Sequence, residues 1–247
     1  MRHSSAALLA VALAMAPLAA QAPYAVGSRT VAWPANGPQG PTVCNAVVCY
    51  PAMTAGVDTP LLQPPSLSGW PTVVFLHGFG LLGSDYLDLG SRWAADGLCV
   101  VLLEDGQWDF LAQEVSARAV LDAMDQTNHR AFDPLRRAFD LHHVGLAGHS
   151  MGGGNVAVVL ATNPGYQVGF ALAPADPGPT ATWFVDVPMG LIVGEGDVVT
   201  PWISHAQPFY LALHDYHEFK FLCLLDAEAT HMDVAGLWLN GQASQEV

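Results

Sequence analysis

Hydrophobic residues in this chain gather into short continuous runs, and the polar residues between them follow a longer period. Apolar runs rich in Val, Leu, Ile and Phe occupy 72–76, 98–103, 144–147, 168–172, 189–193 and 219–225. Continuous rather than alternating runs of this length predict strands buried on both faces, as in a parallel sheet. Helical stretches fall between them at 87–95, 113–125, 155–161 and 203–213, with a short final helix at 234–239. Two earlier segments, 28–33 and 43–50, read as antiparallel edge strands added before the parallel sheet. The alternation predicts an α/β domain: a mostly parallel central sheet flanked by helices on both faces. No internal repeat is present.

Polar residues punctuate the ends of these strands, where open parallel sheets gather function. The strand Val144-Gly145-Leu146-Ala147 runs into Gly148-His149-Ser150-Met151-Gly152, followed by two more glycines and the helix candidate. A serine between glycines at a strand-to-helix junction sits in a tight turn, where the helix N-terminus favours developing negative charge. The five-residue motif alone arises by chance about 0.1 times in a chain this rich in glycine, so its flanks carry the inference. Upstream, 71–76 leads into His77-Gly78-Phe79-Gly80; downstream, 188–193 ends in Gly194-Glu195-Gly196-Asp197, and the last strand leads to Asp226 and then Ala229-Thr230-His231. A serine hydroxyl becomes nucleophilic when an imidazole takes its proton, and the imidazole needs a carboxylate to fix its tautomer. Each of these roles has a candidate at a strand end. Glu195 and Asp226 compete with Asp197 for the acid, and His205, His214 and His217 are further histidines on or beside a predicted helix.

At these residues the chain resembles the α/β-hydrolase superfamily, and within it the secreted branch of dienelactone hydrolase-like, chlorophyllase-like and cutinase-like (polyester hydrolase) serine esterases. The resemblance spans roughly 43–233 and is carried by 148–154, His77-Gly78-Phe79 and 194–201. It implies an α/β-hydrolase fold with Ser150 as nucleophile, Asp197 as orienting acid and His231 as general base, the backbone N–H groups of Phe79 and Met151 forming the oxyanion hole. It also implies a substrate surface drawn from His77, Phe79, His149, Val199 and Trp202, with His149 packing beside the nucleophile. The chain departs from the polyester-hydrolase pattern in the loop after the strand that follows the elbow helix. Those enzymes usually carry a tryptophan there, and this chain reads Ala173-Pro174-Ala175-Asp176-Pro177, with Trp183 and Trp202 the nearby aromatics. The function implied is cleavage of neutral carboxylic esters through an acyl-enzyme, without cofactor. A catalytically silent scaffold that binds an apolar ligand or partner, and an exopeptidase or amidase, are the alternatives the fold permits.

Composition narrows the setting. The chain has 247 residues, 51% of them hydrophobic and 12% charged, enough to bury the core of one catalytic domain, expected over 23–247. Residues 1–22 read as a signal peptide: Arg2, an Ala- and Leu-rich stretch from Ala6 to Leu13, then small residues at Ala19-Ala20-Gln21-Ala22. A secreted or periplasmic location follows, with no integral membrane segment after signal removal and a monomer by default. The formal charge of −14 disfavours nucleic acid, which needs a cationic surface. No metal role is expected, because His142-His143 and 214–217 lack metal-site spacing. Of four cysteines, Cys44 and Cys49 would lie roughly 16 Å apart in an extended strand and can pair only across a turn; Cys99 and Cys223 fall in apolar runs.

Overall fold

The computed structural model describes residues 23–37, 40–213 and 219–237. One nine-stranded sheet organises the molecule: β1 (Val26–Gly37), β2 (Gly40–Pro51), β3 (Gly56–Val57), β4 (Trp70–Leu76), β5 (Cys99–Leu103), β6 (Phe139–His149), β7 (Val168–Leu172), β8 (Met189–Gly194) and β9 (Lys220–Leu225). Their order across the sheet is β3-β1-β2-β5-β4-β6-β7-β8-β9. From β5 to β9 every pairing is parallel, whereas β2 joins both β1 and β5 antiparallel. This is the α/β architecture expected, with the two early strands forming a hairpin on one flank.

Alternation along the strands sorts the core into two layers. Cys44, Ala46 and Val48 of β2, Val74 and Leu76 of β4, and Val101 and Leu103 of β5 face one way. Val47, Cys49, Phe75, Val100 and Leu102 face the other. The first layer is covered by α2 (Phe110–His129), α3 (Met151–Leu160) and α5 (Ala206–Ala212), the second by α1 (Leu87–Ala95). A short helix α4 (Pro179–Trp183) precedes β8. An apolar cavity lined by Val73, Leu146, Ala147 and Phe170 of the strands and Trp93 of α1 lies within this framework.

Local chemistry explains where element bounds differ from the sequence pattern. α3 begins at Met151, four residues before the expected start at 155, because glycines hide its first turn from a propensity reading. α2 begins at Phe110, since Asp109 accepts hydrogen bonds from the N–H groups of Leu111 and Ala112 and caps the helix. The segment from 203 turns through Pro201–His205 and becomes helical at Ala206. β6 starts at Phe139 rather than 144. Its register with β4 shifts between Pro71 and Thr72, and Asp140 shapes the extra residues by accepting hydrogen bonds from Ser68, the His142 N–H and the His143 ring. In place of the final helix the chain makes a 3-10 turn at Asp233–Ala235, closed by Gly236 at φ 68°. The rest of that predicted helix, the signal segment, His214 and His217 lie outside the described residues.

All four cysteines are free. Cys44 and Cys49 both lie on β2, five residues apart, so their side chains point to opposite faces and cannot bridge.

Candidate active site

Glycine sterics create the turn that presents Ser150. A Cβ on Gly148 would stand 2.4 Å from Gly152 O, and one on Gly152 would stand 2.2 Å from Leu76 O. Only bare backbone permits that approach of α3 to β4 and β6. Ser150 itself adopts φ 55°, ψ −117°, a conformation non-glycine residues rarely occupy and one that stores on the order of 1–3 kcal/mol. Its backbone is fully bonded: the N–H donates to Leu172 O, and the carbonyl accepts from Gly154 and Ala175. The surrounding framework therefore holds the strained residue in place.

Asp197 and His231 meet although 34 residues separate them in sequence, with His231 Nδ1 2.7 Å from Asp197 Oδ2. Both are buried. Burial pushes the Asp197 carboxyl up, yet the His231 contact and donors from Thr200 outweigh it and hold the group down at about 2. Oδ1 accepts from the N–H groups of Val199 and Thr200, each at 2.8 Å, and the Thr200 hydroxyl lies 2.8 Å from Oδ2. The same hydroxyl is 3.1 Å from His231 Nδ1 and 3.0 Å from Ala173 O, so Thr200 binds the acid, the imidazole and the loop after β7 together. An ionised carboxylate against Nδ1 places the proton there and leaves Nε2 as the basic nitrogen. Glu195 and Asp226 make no contact with His231 among the described residues. His205 instead binds Asp176 N–H.

The loop after β4 lies against the serine: a Cβ on Gly78 would stand 3.4 Å from Ser150 Cβ. Among the described residues, neither the Phe79 nor the Met151 N–H donates to a protein acceptor. Met151 opens the helix that follows Ser150, so its N–H is one of the donors a helix N-terminus leaves without an intrahelical partner.

Two histidines expected on the substrate surface are buried beneath it. His77 places its ring nitrogens 2.9 Å from Gly78 O and 3.1 Å from Asp105 O, while its own carbonyl accepts from Gln113. His149 is enclosed, and burial foremost, with His231 facing it, lowers it to about 4, so the ring is neutral at ordinary pH. Its Nε2 lies 3.0 Å from the His231 carbonyl, an acceptor only, so Nε2 carries the hydrogen. Nδ1 must then accept from Tyr86 Oη at 2.8 Å, and Tyr86 Oη accepts in turn from Gly78 N–H at 2.9 Å. Sequence reasoning passed over Tyr86 and Thr200. Phe79 and Val199 are exposed, as a substrate surface requires, whereas Trp202 is half-buried against the core. Among the described residues no group of three or more His, Cys, Asp or Glu side chains is arranged to hold a metal ion, and no helix is long and apolar enough to cross a membrane.

Residues 14–240 match the family model described as PET hydrolase-like. The chain is 29% identical over 213 residues to a bis(hydroxyethyl) terephthalate hydrolase of Streptomyces coelicolor, covering 85% of this chain and 67% of that one. It is 29% identical over 130 residues to cutinase 1 of Thermobifida cellulosilytica, covering 51% and 47%, and 27% identical over 144 residues to cutinase est1 of Thermobifida alba, covering 56% and 46%. The matches to these cutinases thus span about half of each cutinase.

Proposed function

The chain belongs to the PET hydrolase-like family, a branch of the α/β-hydrolases and a family of ester hydrolases, and from that premise we propose that it cleaves neutral carboxylic esters through an acyl-enzyme on Ser150. The observation that supports this reading best is the buried Asp197–His231 pair, with the His231 carbonyl 3.0 Å from the ring of His149, the residue that precedes the strained Ser150. His231 Nε2 takes the Ser150 proton as Oγ attacks the ester carbonyl. The N–H groups of Phe79 and Met151 receive the oxyanion. Collapse of the tetrahedral intermediate expels the alcohol, which takes its proton from His231, and leaves an acyl-serine. Water then attacks with His231 again as base, releasing the carboxylic acid and restoring the serine.

The exported location is part of the same proposal and rests on the basic start, apolar stretch and small residues of 1–22. Neutral esters suit a chain of formal charge −14, whose field repels anions at long range. Relatives that act on bis(hydroxyethyl) terephthalate or carry the name cutinase support esters of that kind as the substrates. The test is hydrolysis of p-nitrophenyl esters from acetate to palmitate by wild type and Ser150→Ala. Turnover by wild type that falls to background in the variant is expected; equal rates in both would remove Ser150 from the reaction.

A further inference from the structure

Ala117 of α2 and Val159 of α3 are buried in the apolar core. One turn nearer each helix start stand Gln113 and Asn155, which are just as buried. A primary amide is unfavourable in such a place unless its polar atoms are bonded, so two of them together mark a specific demand on this end of the helix pair. Gln113 Nε2 donates to His77 O at 3.0 Å, and Gln113 Oε1 accepts from Asn155 Nδ2 at 3.1 Å. The same Nδ2 donates to Phe110 O at 2.9 Å. The two side chains thus bridge the helix that follows Ser150 to the loop after β4.

Backbone sterics hold the bridge closely on both sides. A Cβ on Gly152 would stand 2.6 Å from His77 O, and one on Gly106, at φ +83°, would stand 2.6 Å from Gln113 N. The His77 carbonyl belongs to the peptide unit whose N–H, at Gly78, donates to Tyr86 Oη at 2.9 Å. A peptide unit is planar, so holding its carbonyl through Gln113 and its N–H through Tyr86 fixes its orientation. The next unit carries the Phe79 N–H, and its own carbonyl, Gly78 O, accepts from Leu81 N–H at 3.1 Å. At the other end of the bridge, Asn155 lies one helical turn beyond Met151. The bridge therefore links the two segments whose amides receive the oxyanion in the proposed reaction.

We infer that Gln113 is a spacer between the Phe79 and Met151 amides, a positioning residue that sets the width of the oxyanion hole. The inference rests on the ester-hydrolase reading above. Oxyanion donors are effective only when set about 2.7–3.1 Å from the oxygen they stabilise, so a small change in their separation weakens both. Gln113 is buried beneath the loop and acts through the backbone. Its loss is felt where charge develops, in the transition state, and leaves ground-state binding of the ester unchanged.

The experiment measures kcat and KM on p-nitrophenyl butyrate and Ki for an alkyl trifluoromethyl ketone, in wild type, Gln113→Met and Asn155→Leu, with thermal unfolding of each. Ser150 Oγ adds to the ketone carbon, its proton passes to His231 and the ketone oxygen becomes the oxyanion, so Ki reads the hole directly. Gln113→Met keeps the side-chain length and removes both hydrogen bonds. It should lose about tenfold in kcat with KM within about twofold, and Ki should rise by about the same tenfold. Asn155→Leu leaves the Gln113 amide free to turn and should shift kcat and Ki the same way by a smaller factor, which keeps the test open if Gln113→Met does not fold. Wild-type kcat and Ki in a folded variant, or a change confined to KM or to melting temperature, would overturn the spacer and leave the esterase reading intact. A wild type inert toward both ester and ketone would overturn the esterase reading and the spacer with it.

Discussion

Tyr86 Oη lies 2.8 Å from His149 Nδ1, and through that contact the oxyanion loop and the base loop are held by one chain of hydrogen bonds. Gly78 N–H, one residue before the Phe79 amide, donates into its start, and the carbonyl of His231 receives its end. Tyr86→Phe removes the hydroxyl and leaves the Gly78 N–H and His149 Nδ1 buried without partners, at a cost of about 1–3 kcal/mol. Denaturant unfolding should show that loss. Activity should fall further than stability explains, because the two loops are no longer set relative to each other. A variant as stable and active as wild type would show that the chain transmits nothing.

The neutral state of His149 gives the fold an acid weakness. Burial lowers the group from 6.5 to about 4, so between those values the unfolded chain binds a proton that the folded chain refuses. Stability is therefore complete above about 6.5, falls as pH drops towards about 4, and loses about 3 kcal/mol from this group alone. Asp197, lowered from 3.8 to about 2, partitions its proton in the same sense but in a lower window: its contribution persists down to about 3.8 and fades only below. Melting temperatures from pH 7 to pH 4 should decline in wild type and decline less in His149→Gln. Parallel curves for the two proteins would count against His149.

Thr200 ties the Asp197 carboxylate and the His231 imidazole together through one hydroxyl. Thr200→Val keeps the shape but deletes the hydroxyl that lies 2.8 Å from Asp197 and 3.1 Å from His231. The variant is expected to lose about tenfold in kcat with little change in KM, since orientation rather than ester binding is affected. A change confined to KM would place Thr200 in substrate binding instead.

Thiol chemistry at Cys44, Cys49 and Cys99 should be silent in the native state. Burial raises Cys44 to about 12 and Cys49 to about 11, and raises Cys99 as well, so these thiols remain protonated and enclosed. A chromogenic disulfide reagent should react with them only after unfolding, and reductant should leave the melting temperature unchanged. Fast labelling of the folded protein at Cys44 would contradict the burial described.

The sheet was readable because continuous apolar runs mark strands buried on both faces, and the elbow because four glycines around a serine at a strand end leave few other turns. The support of the site was not readable. Tyr86 and His149 are 63 residues apart, and neither has a local pattern that reveals its partner. Thr200 reads as an ordinary loop threonine until Asp197 and His231 fold against it. His77 and His149 stand at strand ends yet are buried, as are Leu76, Gly78 and Gly148 beside them, and no local pattern marks that.

The backbone of Ser150 is satisfied entirely by Leu172, Gly154 and Ala175, so the hydroxyl contributes nothing to holding the turn. Alanine meets the same backbone restriction as serine at φ 55°, and Ser150→Ala should fold as well as the parent. Ser150→Ala keeps the Asp197–His231 pair and the backbone of Phe79 and Met151 and lacks only the hydroxyl to which the proposed function assigns the attack. Intact esters can be soaked into it, and a captured ester would reveal which side of the site receives the acid and which the alcohol.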